Sequence, residues 1–424
     1  MDLEKLSSLL KNKKTQNFFI YGVGQAFNLI SPLLVIPYIV AVCGEEGLGK
    51  TGLGFALSLF LILIVDYAFD VKGTKQASEM RDDRQQLEKL FINTIAIKCL
   101  LFLAVVAIFL ALVFFVPFFQ DEKPLFALSL SIVLAQVFTP HWFLQGTEQY
   151  TAASIINICS KGFYLLLVYS FVANNGDYIY VNLFLGGSSL VFNIVGLAYI
   201  MNRYSFKIAV PVVSEVTAIL KGDFSFCISQ LFLSARQLLP IVLVSYCLGY
   251  YTAGQYKIIE QVITSSRTFI QVFLRYFYPL VCYKAAEDLK AGFRFWKRYS
   301  TSDFLIVLAA MSVIALMPEQ LLYFFNASEE SVNELTPPLF LVLLVPPLMA
   351  ASTALEQLMM IANRNKEYIR IVISVTIISI VSMFSILGKF GIIGLIATFI
   401  AAELLFISLY FKNSYLHLSH KTNE

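Results

Sequence analysis

A succession of apolar stretches constrains this chain more than anything else in it. Each is near the ~20 residues a helix needs to cross a bilayer, and they run with few breaks over almost the whole length. Twelve are read, at roughly 18–42, 48–69, 93–119, 125–146, 151–173, 179–201, 224–248, 253–281, 303–325, 337–361, 368–387 and 390–412. A water-soluble domain is about half apolar and about a quarter charged. These 424 residues are 58% hydrophobic and 14% charged. Hydrocarbon offers no water to a backbone N–H or C=O, so segments of this length cross it as helices. The expectation is an all-α polytopic membrane protein with twelve transmembrane helices.

The charges set the orientation. The N-terminus, loops 71–92, 145–150, 202–222, 283–302 and 363–367 with Arg370, and the tail hold 22 of the 31 lysines and arginines. The opposite loops hold three, Lys50, Lys123 and Lys389. Positive residues accumulate on the cytoplasmic side, so both termini are expected there. The first residues, Met1 to Lys14, carry Leu3, Leu6 and Leu10 on one side. They read either as a short helix on the membrane surface or as a disordered tail. The apolar run behind them is too long for a signal-peptide core, so the first span is expected to be retained.

The chain also repeats. Gln25, Gly44 and Gly49 match Gln230, Gly249 and Gly254 at a constant offset of 205, each trio marking the first hairpin of its half. Loops 71–92 and 283–302 each follow the second span of a half and carry five cations. Six spans is an even number, so the halves share an orientation and are related by a pseudo-two-fold axis along the membrane normal. The expected division is an N-terminal six-helix bundle (1–201), a cytoplasmic linker (202–222) and a C-terminal six-helix bundle (223–424). A cavity between two such bundles is where a substrate is expected.

One span departs from plain apolarity. Thr252 to Val281 carries Lys257, Glu260, Thr264, Arg267, Gln271 and Arg275. At about 100° per residue these fall within about 80° of one another, forming a polar stripe along one helix face. Ile258, Ile259, Val262, Ile263, Phe269, Ile270, Phe273 and Tyr276 make the opposite face. A cation near mid-depth costs from about 3 to above 10 kcal/mol against lipid, so the stripe faces protein or water. Two readings stand: a packing salt bridge between Glu260 and a neighbouring cation, or a water-filled cationic cavity. Intramembrane charge marks pathways, which favours the cavity.

Other spans add polar side chains. Tyr21, Gln25, Asn28 and Pro32 share a face in the first, and Ser154, Asn157, Lys161 and Tyr164 in the fifth. The seventh holds Ser229 and Arg236, the tenth Glu356 and the twelfth Glu403. Single Ser, Asn or Gln residues read as interhelical glue; Lys161, Arg236, Arg267, Arg275, Lys257 and Gln271 are the candidates for binding an anionic group. Glu260, Glu356, Glu403 and Asp66 are the candidates for coupling to an ion, or else they neutralise nearby cations. Asp66 and Asp70 sit near the cytoplasmic end, where pairing with Lys72 or Lys75 is expected. His141 reads as part of an interfacial aromatic anchor with Trp142 and Phe143, or as a proton relay. Pro32, Pro37, Pro140, Pro240, Pro346 and Pro347 lie inside spans as bends, either static or part of a cycle.

The six cysteines show no CxxC spacing and no Cys/His cluster, so neither a metal site nor a disulfide framework is expected. There is no HExxH, GxSxG or P-loop, so no enzyme chemistry and no ATPase is indicated.

Several stretches resemble a known family. Leu34-Val35-Ile36-Pro37-Tyr38, followed by Cys43-Gly44-Glu45-Glu46-Gly47-Leu48-Gly49, is similar to the opening of bacterial O-antigen flippases (Wzx-type). These form part of the polysaccharide-transport branch of the multidrug/oligosaccharidyl-lipid/polysaccharide (MOP) exporter superfamily. Asp66-Tyr67-Ala68-Phe69 resembles that family's Asp-Tyr-Gly-Phe, with Ala68 in place of Gly and Lys75 where an Arg is common. Thr139-Pro140-His141-Trp142-Phe143-Leu144-Gln145-Gly146-Thr147-Glu148 resembles its Pro-x-Trp-Phe-x-Gln-Gly-x-Glu segment. Tyr251-Thr252-Ala253-Gly254-Gln255-Tyr256-Lys257 resembles the start of its eighth span, with Gln255 replacing a Glu, and Tyr278-Pro279 its later Tyr-Pro.

The resemblance implies a MATE-like fold in the bacterial inner membrane. It also implies a flippase that carries undecaprenyl-diphosphate-linked oligosaccharide from the cytoplasmic to the periplasmic leaflet. Alternating access, by rocking one half against the other, would serve such cargo. The implied partners are that lipid-linked sugar, membrane lipid, a coupling proton or sodium ion and a polysaccharide polymerase. No cofactor, metal or nucleic acid is expected. Two other functions fit the class: a cation-coupled multidrug exporter, whose cargo predicts an acidic cavity, and a non-transporting envelope-assembly protein.

Overall fold

The computed structural model describes residues 13–67, 69–207, 211, 213–362 and 364–415, and every regular element among them is a helix. The N-terminal segment with Leu3, Leu6 and Leu10, the motif residue Ala68, and His417, His420 and Lys421 lie outside the described residues, as do the side chains of Tyr21, Gln25, Ser229 and Pro279. In chain order the helices are α1 (Lys13–Asp66), α2 (Lys72–Glu79), α3 (Arg84–Phe115), α4 (Lys123–Val137), α5 (His141–Gly146), α6 (Tyr150–Phe171) and α7 (Tyr178–Tyr204). There follow α8 (Val213–Leu248), α9 (Tyr250–Glu287), α10 (Leu289–Leu316), α11 (Pro318–Phe324), α12 (Glu329–Val342), α13 (Val345–Ile361) and α14 (Asn365–Tyr410).

Eight stretches among the described residues are long and apolar enough to cross a membrane: Phe27–Asp66, Arg84–Phe115, Pro117–Gly146, Tyr150–Phe171, Asn175–Tyr204, Leu289–Leu316, Glu329–Ile361 and Lys366–Ser414. The protein is a multi-pass membrane protein. Twelve separate rods are not seen, for three physical reasons. The expected first and second spans fall on α1, and the eleventh and twelfth on α14; each of these helices is broken internally at one glycine, Gly44 (φ 72°, ψ 175°) and Gly391 (φ 57°, ψ −146°). The expected seventh span falls on α8, whose apolar part is the shorter Ser234–Leu248. The expected eighth falls on α9, which the polar stripe makes too charged to pass as a simple apolar span.

The repeat has a conformational counterpart. Gly249, at the start of α9, has φ 87° and ψ 172°, close to the backbone of Gly44. Only glycine adopts this region without strain. The two glycines found at an offset of 205 therefore make the same corner.

The chain forms two compact units, Met1–Leu238 and Leu239–Glu424. In the first, α1, α4 and α7 meet through small residues. A Cβ on Gly186 would stand 2.3 Å from the Ser131 carbonyl carbon and 2.4 Å from the Ile132 nitrogen, so α7 lies directly on the α4 backbone. Asn182 beside it donates to the Thr51 carbonyl (3.0 Å) and the Ser129 hydroxyl (2.9 Å), and Asn193 donates to the Ala135 carbonyl (2.8 Å). These amides act as the interhelical glue expected of polar residues in spans. The start of α8 also packs here: Val216 and Cys227 join Tyr67, Phe69 and Ile97 in one buried cluster. The Tyr67 hydroxyl donates to the Leu220 carbonyl at 2.6 Å, Asn93 donates to Glu215 at 2.8 Å, and Lys72 pairs with Asp223. The later part of the expected 202–222 linker is thus helix packed on its own unit.

The second unit is tied through α10. The Trp296 indole donates to the Ala354 carbonyl (3.1 Å), and the Tyr299 hydroxyl donates to Gln357 Oε1 (2.6 Å). Gln357 Nε2 donates onward to the Leu274 carbonyl (3.0 Å), linking α9, α10 and α13. Asp288 caps α10, its carboxylate accepting from the backbone N–H of Lys290 and Ala291.

Candidate functional site

The expected binding residues fall into both units. In the second, α9 presents its apolar side to the core: Ile258, Ile259, Val262, Ile263, Ile270 and Leu274 are buried. Phe269 and Tyr276, assigned to that side, are exposed instead. The polar stripe runs outside this core, with Thr264, Gln271 and Arg275 exposed and Lys257, Glu260 and Arg267 half-buried. Lys257 Nζ and Glu260 Oε2 form an ion pair at 2.7 Å, and the buried Tyr256 hydroxyl reaches the same carboxylate at 3.4 Å. One end of the stripe is therefore neutralised internally, the packing role weighed for Glu260. Arg267, Gln271 and Arg275 continue down the same face, and no ion pair ties Arg275 among the described residues.

In the first unit, Lys161 on α6 lines a cavity of about 240 Å³ with His141, Asn28, Gln136, Asn157 and Asn193 among its polar walls. The hydroxyls of Thr139, Ser160 and Ser189 also face it, and Phe55, Leu59 and Ile132 supply apolar wall. Among the described residues Lys161 has no carboxylate within ion-pair reach. Of these lining residues, periodicity gave Lys161, Asn157 and Asn28. Gln136, Asn193 and Ser189 were not singled out, because uncharged polar residues scattered in a span read as interhelical glue and only packing brings these together. Arg236 on α8 is half-buried and is not among the residues of this cavity.

The four carboxylates expected to couple an ion, Asp66, Glu260, Glu356 and Glu403, each have a partner in their own unit. Asp66 is held by Lys98 Nζ at 2.6 Å, with Gln136 Nε2 at 3.2 Å on the same oxygen and the Asp70 backbone N–H on the other. This corrects the expected pairing with Lys72 or Lys75: Lys72 reaches Asp223, and Lys75 reaches Glu79 at 3.7 Å. The physical reason is that Lys98 is wholly buried and requires a counter-charge. Glu356 accepts from the Tyr368 hydroxyl (2.9 Å) and Glu403 from the Ser352 hydroxyl (2.5 Å).

The Asp-Tyr-x-Phe motif gains a local explanation. Asp66 ends α1 and takes Lys98, Tyr67 turns the chain at positive φ, and the Lys98 ammonium stands 5.9 Å from the Phe69 ring centroid. The Trp-Phe segment differs from expectation. Trp142 and Phe143 are buried among Phe91, Tyr204 and Phe206 and are not interfacial anchors; Thr139 and His141 are the residues of the segment that line the cavity. Gly146 ends the segment because a Cβ there would stand 2.6 Å from the Thr74 carbonyl oxygen of α2.

Comparison with known proteins agrees with this architecture. Solved structures similar to this chain include an inward-facing multidrug resistance MATE family transporter of the MOP superfamily (TM-score 0.70, 14% identity, 94% of this chain and 95% of that one). The lipid II flippase MurJ in an inward closed conformation is also similar (TM-score 0.71, 12% identity, 93% and 87%). A third is a MOP superfamily transporter from Pyrococcus furiosus, described as having a binding pocket of reverse polarity (TM-score 0.64, 14% identity, 96% and 94%). At these identities the likeness establishes the MOP fold. By sequence, the chain is 22% identical over 395 residues to the "Putative O-antigen transporter" of Escherichia coli (strain K12), covering 93% of this chain and 95% of that one. These relatives are transporters and a flippase, not enzymes. Residues 15–281, more than half of the chain, match the model of one family, and the chain therefore belongs to the polysaccharide biosynthesis protein family.

Proposed function

We propose that this protein is a flippase that moves a lipid-linked, diphosphate-bearing oligosaccharide from the cytoplasmic to the periplasmic leaflet of the bacterial inner membrane. The observation that carries the reading is the division of α9, whose apolar side packs into its unit while Arg267, Gln271 and Arg275 stand outside that core, on the helix that takes the eighth expected span. A diphosphate cannot shed its water into hydrocarbon without replacement donors. Arginine supplies forked donors that match phosphate oxygens, and glutamine and lysine add single ones. Within the first unit, Lys161 with the amides and hydroxyls around it forms a polar cavity of its own, suited to sugar hydroxyls and to negative charge. The lipid tail remains in the bilayer, and the site opens alternately to either side. The bias of cations to one set of loops supports cytoplasmic termini. The similarity to an O-antigen transporter and to a lipid II flippase supports the cargo class.

The test is surface polysaccharide in a host whose own gene is deleted. The present sequence is expected to restore it. Arg267→Ala is expected to abolish it with protein still in the membrane and lipid-linked units accumulating on the cytoplasmic side, and Arg267→Lys to restore it in part. Normal polysaccharide in the Ala variant would overturn the assignment. A multidrug exporter is the alternative that the MATE likeness raises; drug resistance on overexpression, without effect on polysaccharide, would favour it.

A further inference from the structure

Asp303 stands apart from the other carboxylates of the membrane helices. It lies on α10, on the face made by Trp296, Tyr299, Ser300, Val307 and Met311, and its exposure is 0%. Neither of its carboxylate oxygens has a hydrogen-bond partner among the described residues. Asp66, Glu260, Glu356 and Glu403 are all held by a cation or a hydroxyl. An ionised carboxylate enclosed this way, with no donor and no counter-charge, costs many kcal/mol, so burial selects the neutral acid.

We infer that Asp303 carries the coupling proton of the second unit: it is the neutral acid when enclosed as here, and it exchanges its proton with water when the helices around it part. The inference rests on the transport reading above. The groups facing it support a proton over a metal ion. On its own helix the titratable neighbour is Tyr299, whose proton is committed to Gln357 of α13. From α9, Tyr278 and Cys282 lie in the same electrostatic neighbourhood. Glu356 of α13 is bound by Tyr368, Lys284 of α9 sits 4.3 Å from the Phe295 ring centroid farther down α10, and Glu319 of α11 is exposed. None of them bonds to Asp303. A bare cation requires a shell of oxygen ligands, and no group of three or more His, Cys, Asp or Glu side chains that could hold one occurs among the described residues. A proton requires only the carboxylate. The step balances simply: the carboxylic O–H breaks to give a carboxylate and a hydrated proton on one side of the membrane, and the reverse step takes a proton from the other. No bond to substrate forms.

The test uses the full chain in lipid vesicles. Infrared spectra are expected to show the carbonyl stretch of a buried carboxylic acid that is absent in Asp303→Asn, present in Asp303→Glu, and lost as the pH is raised. In the same vesicles a fluorescent polyprenyl-diphosphate monosaccharide is followed across the membrane with and without a pH gradient. The wild type is expected to follow the gradient, whereas Asp303→Asn equilibrates the probe downhill and loses the response. An infrared spectrum unchanged by the substitution, or an Asn variant that follows the gradient as the wild type does, would overturn the inference. A wild type that never moves the probe would sink the transport reading, and with it the coupling role of Asp303. The infrared arm separates the two failures by reporting independently whether Asp303 holds a proton.

Discussion

At the scale of single residues the most consequential contact is the one between Asp66 and Lys98. Lys98 is 0% exposed. Removing one partner of a buried pair strands the other and costs about 3–5 kcal/mol, whereas replacing both with apolar residues of similar size is often neutral. Asp66→Leu alone and Lys98→Met alone are therefore expected to lower the thermal unfolding temperature of the purified protein sharply, and the double variant to recover most of the loss. Equal damage in all three would show that the pair contributes little beyond its own volume. The sequence displays both charges but not their union. Helical periodicity gives the face of each side chain, while the depth at which two helices align is set by packing such as that of Gly186 on α4. Asp303 was hidden for the same reason. Nothing local to α10 marks it, and its 0% exposure comes from packing that no single helix's pattern displays. Trp142 and Phe143 were misassigned because buried and interfacial aromatic residues have the same local pattern.

Among elements, the corners at Gly44 and Gly249 were the most legible feature, since a constant offset in sequence became a constant backbone angle in space. A side chain forced into this region costs on the order of 1–3 kcal/mol. Neither position is crowded, as a Cβ would meet nothing within 4 Å at either, so backbone strain alone is being tested. Gly44→Ala and Gly249→Ala are each expected to lower stability by about that amount, with similar values for the two. Gly187→Ala serves as the control, having open space and ordinary helical geometry. A loss at only one of the two corners would argue against a structural repeat. The polar stripe of α9 was also legible, because a single helix carries its own periodicity. The cavity around Lys161 was only partly so, since its walls come from α1, α4, α6 and α7 together.

For the whole molecule, the apolar stretches alone are enough to specify the membrane character. The count of spans is less direct, because a hairpin turning on one glycine leaves only a short polar break, Glu45, Glu46 and Lys50 beside Gly44 and Lys389 beside Gly391. Orientation can be read with single cysteines in a cysteine-free background. Asp82→Cys and Lys290→Cys are expected to react with an impermeant thiol reagent only from the cytoplasmic side, and Asp121→Cys and Lys389→Cys only from the other. Labelling of all four from one side would reverse or break the assigned topology. Lys98 and Lys161, both in the first unit, also differ in how an energised membrane acts on them. Lys98 and Asp66 together carry no net charge, so the transmembrane voltage does almost no work on them if they move as a pair. Lys161 has no carboxylate beside it among the described residues, and displacing one elementary charge through the full field is worth about 2.3 kcal/mol per 100 mV. The potential thus has a handle on the wall of the cavity and almost none on the neutral pair that Gln136 joins to it.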